Sequence, residues 1–219
     1  MFRDRAEAGR LLTKKLTAYA NRPDVLILAL PRGGVPVGFE IATALKVPLD
    51  VFVVRKLGVP GQEELAMGAI TSGGARLLNS LIVQALGISE SQIESVAAEE
   101  QQELERRERL YRGSRAAPEI RSRTVILVDD GIATGATMRA ALSALKKLQP
   151  ARLIVAVPVA PLSTVLELKA EGEEVVCIRA AEPFHAIGAW YEDFTQISDE
   201  EVCRLLERAA HEWSPAHKG

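Results

Sequence analysis

Val125-Ile126-Leu127-Val128 is an unbroken apolar, β-branched run that ends abruptly in two acids, Asp129 and Asp130. A strand of this kind is buried on both faces, which calls for a parallel sheet with helices on either side. Gly131 to Thr137 then turns the chain into an apolar, Ala-rich stretch that reads as helix to about Leu148. A bend of Gly, Ala and Thr before a helix offers unpaired backbone N–H groups, and here also the hydroxyls of Thr134 and Thr137. Its small side chains let an anion approach the backbone closely. With the two acids alongside for vicinal hydroxyls, the segment suits a sugar phosphate. The same residues could also close a plain βα turn, with one Asp capping the helix. Neither G-x-x-x-x-G-K-[ST] nor G-x-G-x-x-G occurs anywhere in the chain, which excludes two familiar phosphate-binding loops.

Four apolar residues, two acids, a few mostly apolar residues and then Thr134-Gly135-Ala136-Thr137 closely resemble the phosphoribosyl-pyrophosphate (PRPP) motif of the type I phosphoribosyltransferases. The resemblance implies an α/β fold: a parallel, Rossmann-like core, an inserted hairpin with a long helix, and a C-terminal hood. It implies transfer of the 5-phosphoribosyl group of PRPP to a nucleobase-like, small planar acceptor, with Mg²⁺ as cofactor and release of pyrophosphate. Asp129 and Asp130 would hold the ribose hydroxyls and touch the metal through water. Ala133, Thr134, Gly135, Ala136 and Thr137 would take the 5-phosphate. The motif is also shared by regulators that bind PRPP without catalysis, so a sensor is the alternative. Ala133 stands where 6-oxopurine enzymes commonly carry a third acid, which disfavours that acceptor class. The Ala-Thr-Gly run looks closer to adenine- or uracil-type motifs.

The rest of the chain supplies companion elements. Asp4 to Ala20 has the spacing of an amphipathic helix, with Ala8, Leu11, Leu12, Leu16 and Tyr19 on one face. Val25 to Leu30 reads as a second buried strand, followed by Pro31-Arg32-Gly33-Gly34 and a helix over Val35 to Leu45. Leu49 to Val54 reads as a third strand, ending in Arg55-Lys56. Alternation of this kind predicts right-handed βαβ units. Ligands of open α/β sheets bind outside the carboxyl ends of the strands, where Pro31 to Gly34 also falls. Arg32 offers a fixed fork of donors and Gly33 and Gly34 exposed amides, which suits pyrophosphate, although a solvated Arg on a tight turn fits as well. By resemblance this is the pyrophosphate loop, often built with a strained or cis peptide, and Lys56 turns toward the same phosphates. Arg32, Lys56, Asp129 and Asp130 are the expected catalytic residues.

Between the second and third core strands lies a long insertion, 57–123. Leu57 to Glu64 reads as a loop from its Gly and Pro content, and Leu65–Ile70 with Ala75–Leu78 as a hairpin around Thr71-Ser72-Gly73-Gly74. The family places its mobile lid here. Ser89 opens a polar helix from Glu90 to about Tyr111 with a capping-box pattern. Arg152 to Pro158 reads as a further core strand, Leu162 to Ala170 as a helix and Glu174 to Ile178 as the last strand. Residues 180–199 hold Phe184, Trp190, Tyr191 and Phe194 in a chain that is 5% aromatic. Such rings form core or interface patches, or a stacking surface. By resemblance 180–199 is the hood, with Phe184, Trp190 and Tyr191 as acceptor-binding candidates. A helix over Asp199 to Trp213 and a frayed tail complete the reading.

The whole length of 219 residues suits one α/β domain with an insertion. A net charge of −2 gives no basic field for nucleic acid. Two distant cysteines and three histidines give neither a disulfide framework nor zinc spacing, consistent with a reduced, cytoplasmic setting. The N-terminus lacks an apolar signal core, and the longest apolar run, Leu153 to Leu162, is too short to span a membrane. Many members of the resembled family are homodimers, which sets the expectation for assembly.

Overall fold

The computed structural model describes residues 1–212; the expected end of the last helix at Trp213 and the tail beyond it lie outside the described residues. In chain order the elements are α1 (Arg5–Thr13), β1 (Val25–Ala29), α2 (Gly34–Leu45), β2 (Leu49–Val51), β3 (Val54–Val59), β4 (Gln62–Thr71) and β5 (Arg76–Leu78). They continue with α3 (Ser80–Ala85), α4 (Glu90–Arg112), β6 (Thr124–Val128), α5 (Ala136–Lys147), β7 (Arg152–Pro161), α6 (Leu162–Ala170), β8 (Glu174–Ala181) and α7 (Asp199–Glu212).

Five strands form one parallel sheet in the order β2-β1-β6-β7-β8. This is the parallel α/β core expected from the sequence. Every residue of β1 and β6 is buried, because side chains of alternate parity enter two different cores. Val25, Ile27, Ile126 and Ile154 pack with α1, α2 and α7 on one face. Leu26, Leu28, Val125 and Leu127 pack with α5 and α6 on the other. The chain leaves β1 in one direction to make β2 and returns on the opposite side as β6. The carboxyl ends of β1 and β6 therefore flank a topological switch point, where a crevice opens. Ala29 is in register with Val128, and the Leu30 amide donates to the Val128 carbonyl at 2.8 Å. Both loops of interest leave the sheet side by side.

At the opposite end of these strands, Thr124 donates its hydroxyl to Asp24 Oδ2 at 3.0 Å and Arg22 Nη2 donates to the same oxygen at 2.7 Å. The Arg22 hydrogen bond holds the Asp24 pKa down at about 2. Its stabilising contribution is therefore complete above the ordinary carboxylate range and lost as pH falls toward 2. Acid unfolding should begin at higher pH in the wild type than a chain with Asp24 fixed as a charge would show. In Asp24→Asn the pH dependence between about 4 and 2 should flatten, as read by circular dichroism.

Three expectations are corrected. The first helix stops at Thr13 and a 3₁₀ turn, Thr17–Tyr19, carries Tyr19 into the core, in place of one helix to Ala20. The third core strand ends at Val51, not Val54. Beyond it the Val53 amide donates to the Ser72 hydroxyl at 2.8 Å, and Val54 pairs with Thr71, so the chain peels off to a separate antiparallel sheet, β3-β4-β5. Arg55-Lys56 therefore lies inside β3 and not at a core strand's end. Leu57 to Glu64, expected as a loop, is mostly strand. Gly58 absorbs a register shift, and Gly61 makes the tight turn with φ +78°. The hairpin of β4 and β5 and the capping box at Ser89 appear as expected. The short α3, capped by the Asn79 side chain, was not foreseen.

The polar helix α4 is anchored at its end. Arg112, 9% exposed, donates to Asp50 Oδ1 at 3.0 Å and to the Val51 carbonyl at 2.8 Å. Tyr111 donates its hydroxyl to Asp199 Oδ1 at 2.6 Å, tying α4 to α7 as well. Among the described residues, no helix is long and apolar enough to cross a membrane.

Candidate functional site

The loop after β1 turns through a cis peptide between Pro31 and Arg32, within the segment where the family resemblance allowed a strained or cis bond. Gly33 and Gly34 then press directly against the acids that follow β6. A Cβ on Gly33 would lie 2.0 Å from Asp130 Oδ2, and one on Gly34 would lie 2.7 Å from the Val128 carbonyl and 3.0 Å from Asp129 Cα. The glycines are needed for this close approach, and φ at Gly33 is an ordinary −61°. Gly33→Ala should thus force the two loops apart, lowering the unfolding free energy by about 1–3 kcal/mol in urea titrations. An unchanged transition midpoint would show that the loops can part freely.

Residues 131–135 wrap a small cavity of about 160 Å³ lined by Asp129, Gly131 to Met138 and Ile187. Ala133, Thr134, Ala136 and Thr137 are exposed at its mouth. Gly135 adopts φ +80° as the N-cap of α5, which starts the helix with its amides aimed at the cavity end. Thr164 of α6 donates its hydroxyl to the Ala133 carbonyl at 3.4 Å, and Arg139 donates to the Thr134 carbonyl at 3.1 Å. The loop's carbonyls are thus partly satisfied from behind, consistent with an amide-rich front.

The two acids are not equivalent. Asp129 lines the cavity and accepts from the Asp130 amide at 2.8 Å. Burial, together with the charge of Asp130, raises its pKa well above the usual carboxylate range. Asp130 is buried and paired with Arg5 Nε at 2.7 Å. Burial also raises the Asp130 pKa, against the lowering pull of Arg5. Arg5 itself donates to the Thr195 carbonyl at 2.9 Å and lies 4.0 Å over the Phe194 ring. Sequence reasoning missed Arg5, since 125 residues separate it from Asp130 and a single Arg in a first turn gives no signal.

The other expected residues are more dispersed. Arg32 is half-buried and its charge reaches Tyr111 and Glu200. Lys56 is exposed on β3, donates to the Glu64 carbonyl at 3.3 Å, and lines a cleft of about 410 Å³ together with Ala136 and Thr137. It therefore approaches the start of α5 from the second sheet. Tyr191 is buried, donates its hydroxyl to the Asp130 carbonyl at 2.6 Å, and packs on Phe2 and Phe194. Phe184 and Trp190 stack on each other, 6.3 Å between centroids, in a small cluster around Phe2. Of the 180–199 stretch, Ile187 is the residue that reaches the cavity at the 131–135 loop.

Comparison with known proteins bears on the family. Residues 4–188 match the family model described as the phosphoribosyl transferase domain. Two Mycobacterium tuberculosis proteins, provisionally named phosphoribosyl transferases, are 42% identical over 216 residues, 99% of this chain. The chain spans about half the length of these curated relatives, 48%. The crystal structure of TT1426 from Thermus thermophilus is 42% identical, with TM-score 0.82, covering 95% of this chain and 98% of that one. The AQ2163 protein from Aquifex aeolicus shares the fold at 13% identity and TM-score 0.51, over 84% of this chain and 78% of that one. On its sequence motif, its sheet order and this family match, the chain belongs to the phosphoribosyl transferase domain family.

Proposed function

We propose that the chain transfers the 5-phosphoribosyl group of PRPP to a small planar, nucleobase-like acceptor, releasing pyrophosphate. One observation carries this reading: two anion-competent loops leave adjacent strands at the switch point and touch through Gly33, Gly34, Asp129 and Asp130. The 5-phosphate fits the cavity at Ala133 to Thr137, and the ribose diol fits Asp129. Pyrophosphate then falls toward the 31–34 loop and Arg32, with Lys56 across the cleft that Ala136 and Thr137 also line. In the reaction an acceptor nitrogen forms a bond to C1 while the C1–O bond breaks. Its electron pair leaves with pyrophosphate, and the acceptor proton passes to water. Asp129 offsets positive charge developing on the ribose ring, while the loop amides and Arg32 offset charge on the leaving group.

The residues present fit Mg²⁺ of the kind that arrives with its substrate. Among the described residues no group of three or more His, Cys, Asp or Glu could hold a metal ion. Mg²⁺ usually keeps several waters and needs only one or two carboxylates beside substrate oxygens. Asp129 would hold it through water, and Asp130, engaged by Arg5, would contribute its field. When bound, the metal would neutralise charge on the departing pyrophosphate.

The 180–199 stretch borders the cavity through Ile187 and is the proposed hood. Phe184 and Trp190, half-buried, remain the candidates for an acceptor, whereas the buried Tyr191 acts through Asp130. The second sheet with α4 is the proposed lid-bearing insertion. Calorimetry with Mg²⁺-PRPP, followed by pyrophosphate release across purine, pyrimidine and pyridine acceptors, tests the assignment. Binding with release from one acceptor class supports it. Binding without release from any would make the chain a PRPP sensor, and no binding would remove the site.

A further inference from the structure

Asp130 is the point at which four distant segments meet. Its carboxylate takes the Arg5 guanidinium from α1, and its Oδ2 lies against the Cα of Gly33. Its carbonyl accepts from the Tyr191 hydroxyl, while Arg5 reaches on to the Thr195 carbonyl. Both partners of the ion pair are about one-tenth exposed, so neither can be replaced by water at low cost. A carboxylate fixed in this way cannot swing toward the cavity that Asp129 lines. It also cannot retreat from the glycine loop it supports.

We propose that Arg5 is a positioning residue for sugar-phosphate binding: by clamping Asp130 against Gly33, it sets the spacing between the 31–34 loop and the 129–135 loop. The inference rests on the proposed PRPP site for its ligand but not for its geometry. Arg5 is not among the residues that line the cavity beside Asp129. It acts through the carboxylate, and a guanidinium is required because one fork must serve both Asp130 and Thr195. A lysine, with a single point of charge, can reach one of them at a time.

The test compares Arg5→Met, Arg5→Lys and, as a control, Arg112→Met, which breaks an equally buried ion pair away from the two loops. In the free chain, amide hydrogen exchange is followed at Gly34, Val35, Asp130 and Ile132, whose N–H groups are hydrogen-bonded within or beside the loops. Arg5→Met should speed exchange there by about tenfold over the change seen elsewhere in the chain, with Arg5→Lys intermediate. Arg112→Met should leave those four amides at the chain-wide level. In metal-free calorimetry ribose-5-phosphate should bind Arg5→Met about tenfold more weakly, and millimolar guanidinium should restore part of the loss. Unchanged loop exchange in Arg5→Met, or the same loop-specific change in Arg112→Met, overturns the proposal. Should Arg5→Met not fold, Arg5→Lys decides by the same exchange measurement. If ribose-5-phosphate fails to bind the wild type, the PRPP site falls while the exchange data still judge Arg5.

Discussion

Asp129→Asn should bind Mg²⁺-PRPP roughly 10- to 100-fold more weakly than the wild type, the scale of a hydrogen bond to a buried charged group. Turnover should fall further, by roughly 100- to 1,000-fold, because the missing charge counts most when the ribose ring becomes cationic. The substitution is nearly isosteric, and the Asn side-chain oxygen can still accept from the Asp130 amide, so the fold should survive. Replacing a carboxylate whose pKa is raised by burial and by the charge of Asp130 removes both penalties, and the melting temperature should hold or rise. Calorimetry and a pyrophosphate-release assay on one preparation read both effects. Wild-type affinity in Asp129→Asn would mean that the sugar hydroxyls are held elsewhere. Asp130→Asn should lower affinity less and stability more, since that side chain faces Arg5 and not the cavity.

Breaking the Arg5–Asp130 pair should have the largest effect on stability. Arg5→Met leaves a carboxylate buried without its cation, a loss of about 3–5 kcal/mol, or roughly 10 °C in melting temperature for a chain of this size. Adding Asp130→Leu removes the stranded charge and should recover a substantial part of the loss, because two apolar residues of similar volume can replace a buried pair. Thermal and urea unfolding of the single and double variants complete the cycle. A single-variant loss below about 1 kcal/mol would show that water reaches the pair, as it does at surface ion pairs.

The core of this molecule could be read from its letters because its strands are buried on both faces. Val25 to Ala29 and Val125 to Val128 are continuous apolar runs, and only a parallel sheet covered by helices accommodates those. The acids and small residues after Val128 were equally legible, since a loop's chemistry is local. The second sheet was not. Arg55 and Lys56 make β3 look like a strand's frayed end, and Gly58, Pro60 and Gly61 look like a loop. In the fold those same residues serve as a bulge and a two-strand turn, roles that depend on pairing with β4. Long-range partners were hidden for the same reason. Nothing in Met1-Phe2-Arg3-Asp4-Arg5 indicates that it will lie against Asp130 and Tyr191. The aromatic stretch shows both outcomes, with Ile187 at the cavity and Tyr191 spent on holding Asp130 from behind.

Phe2 exchanges main-chain hydrogen bonds with Trp190 and Glu192, and the Asp193 amide donates to the Arg3 carbonyl. The opening residues are thus woven into the segment after β8 like an extra stitch. A protease that clipped the chain between Arg5 and Ala6 would leave the sheet intact yet unpick the seam behind the second acid.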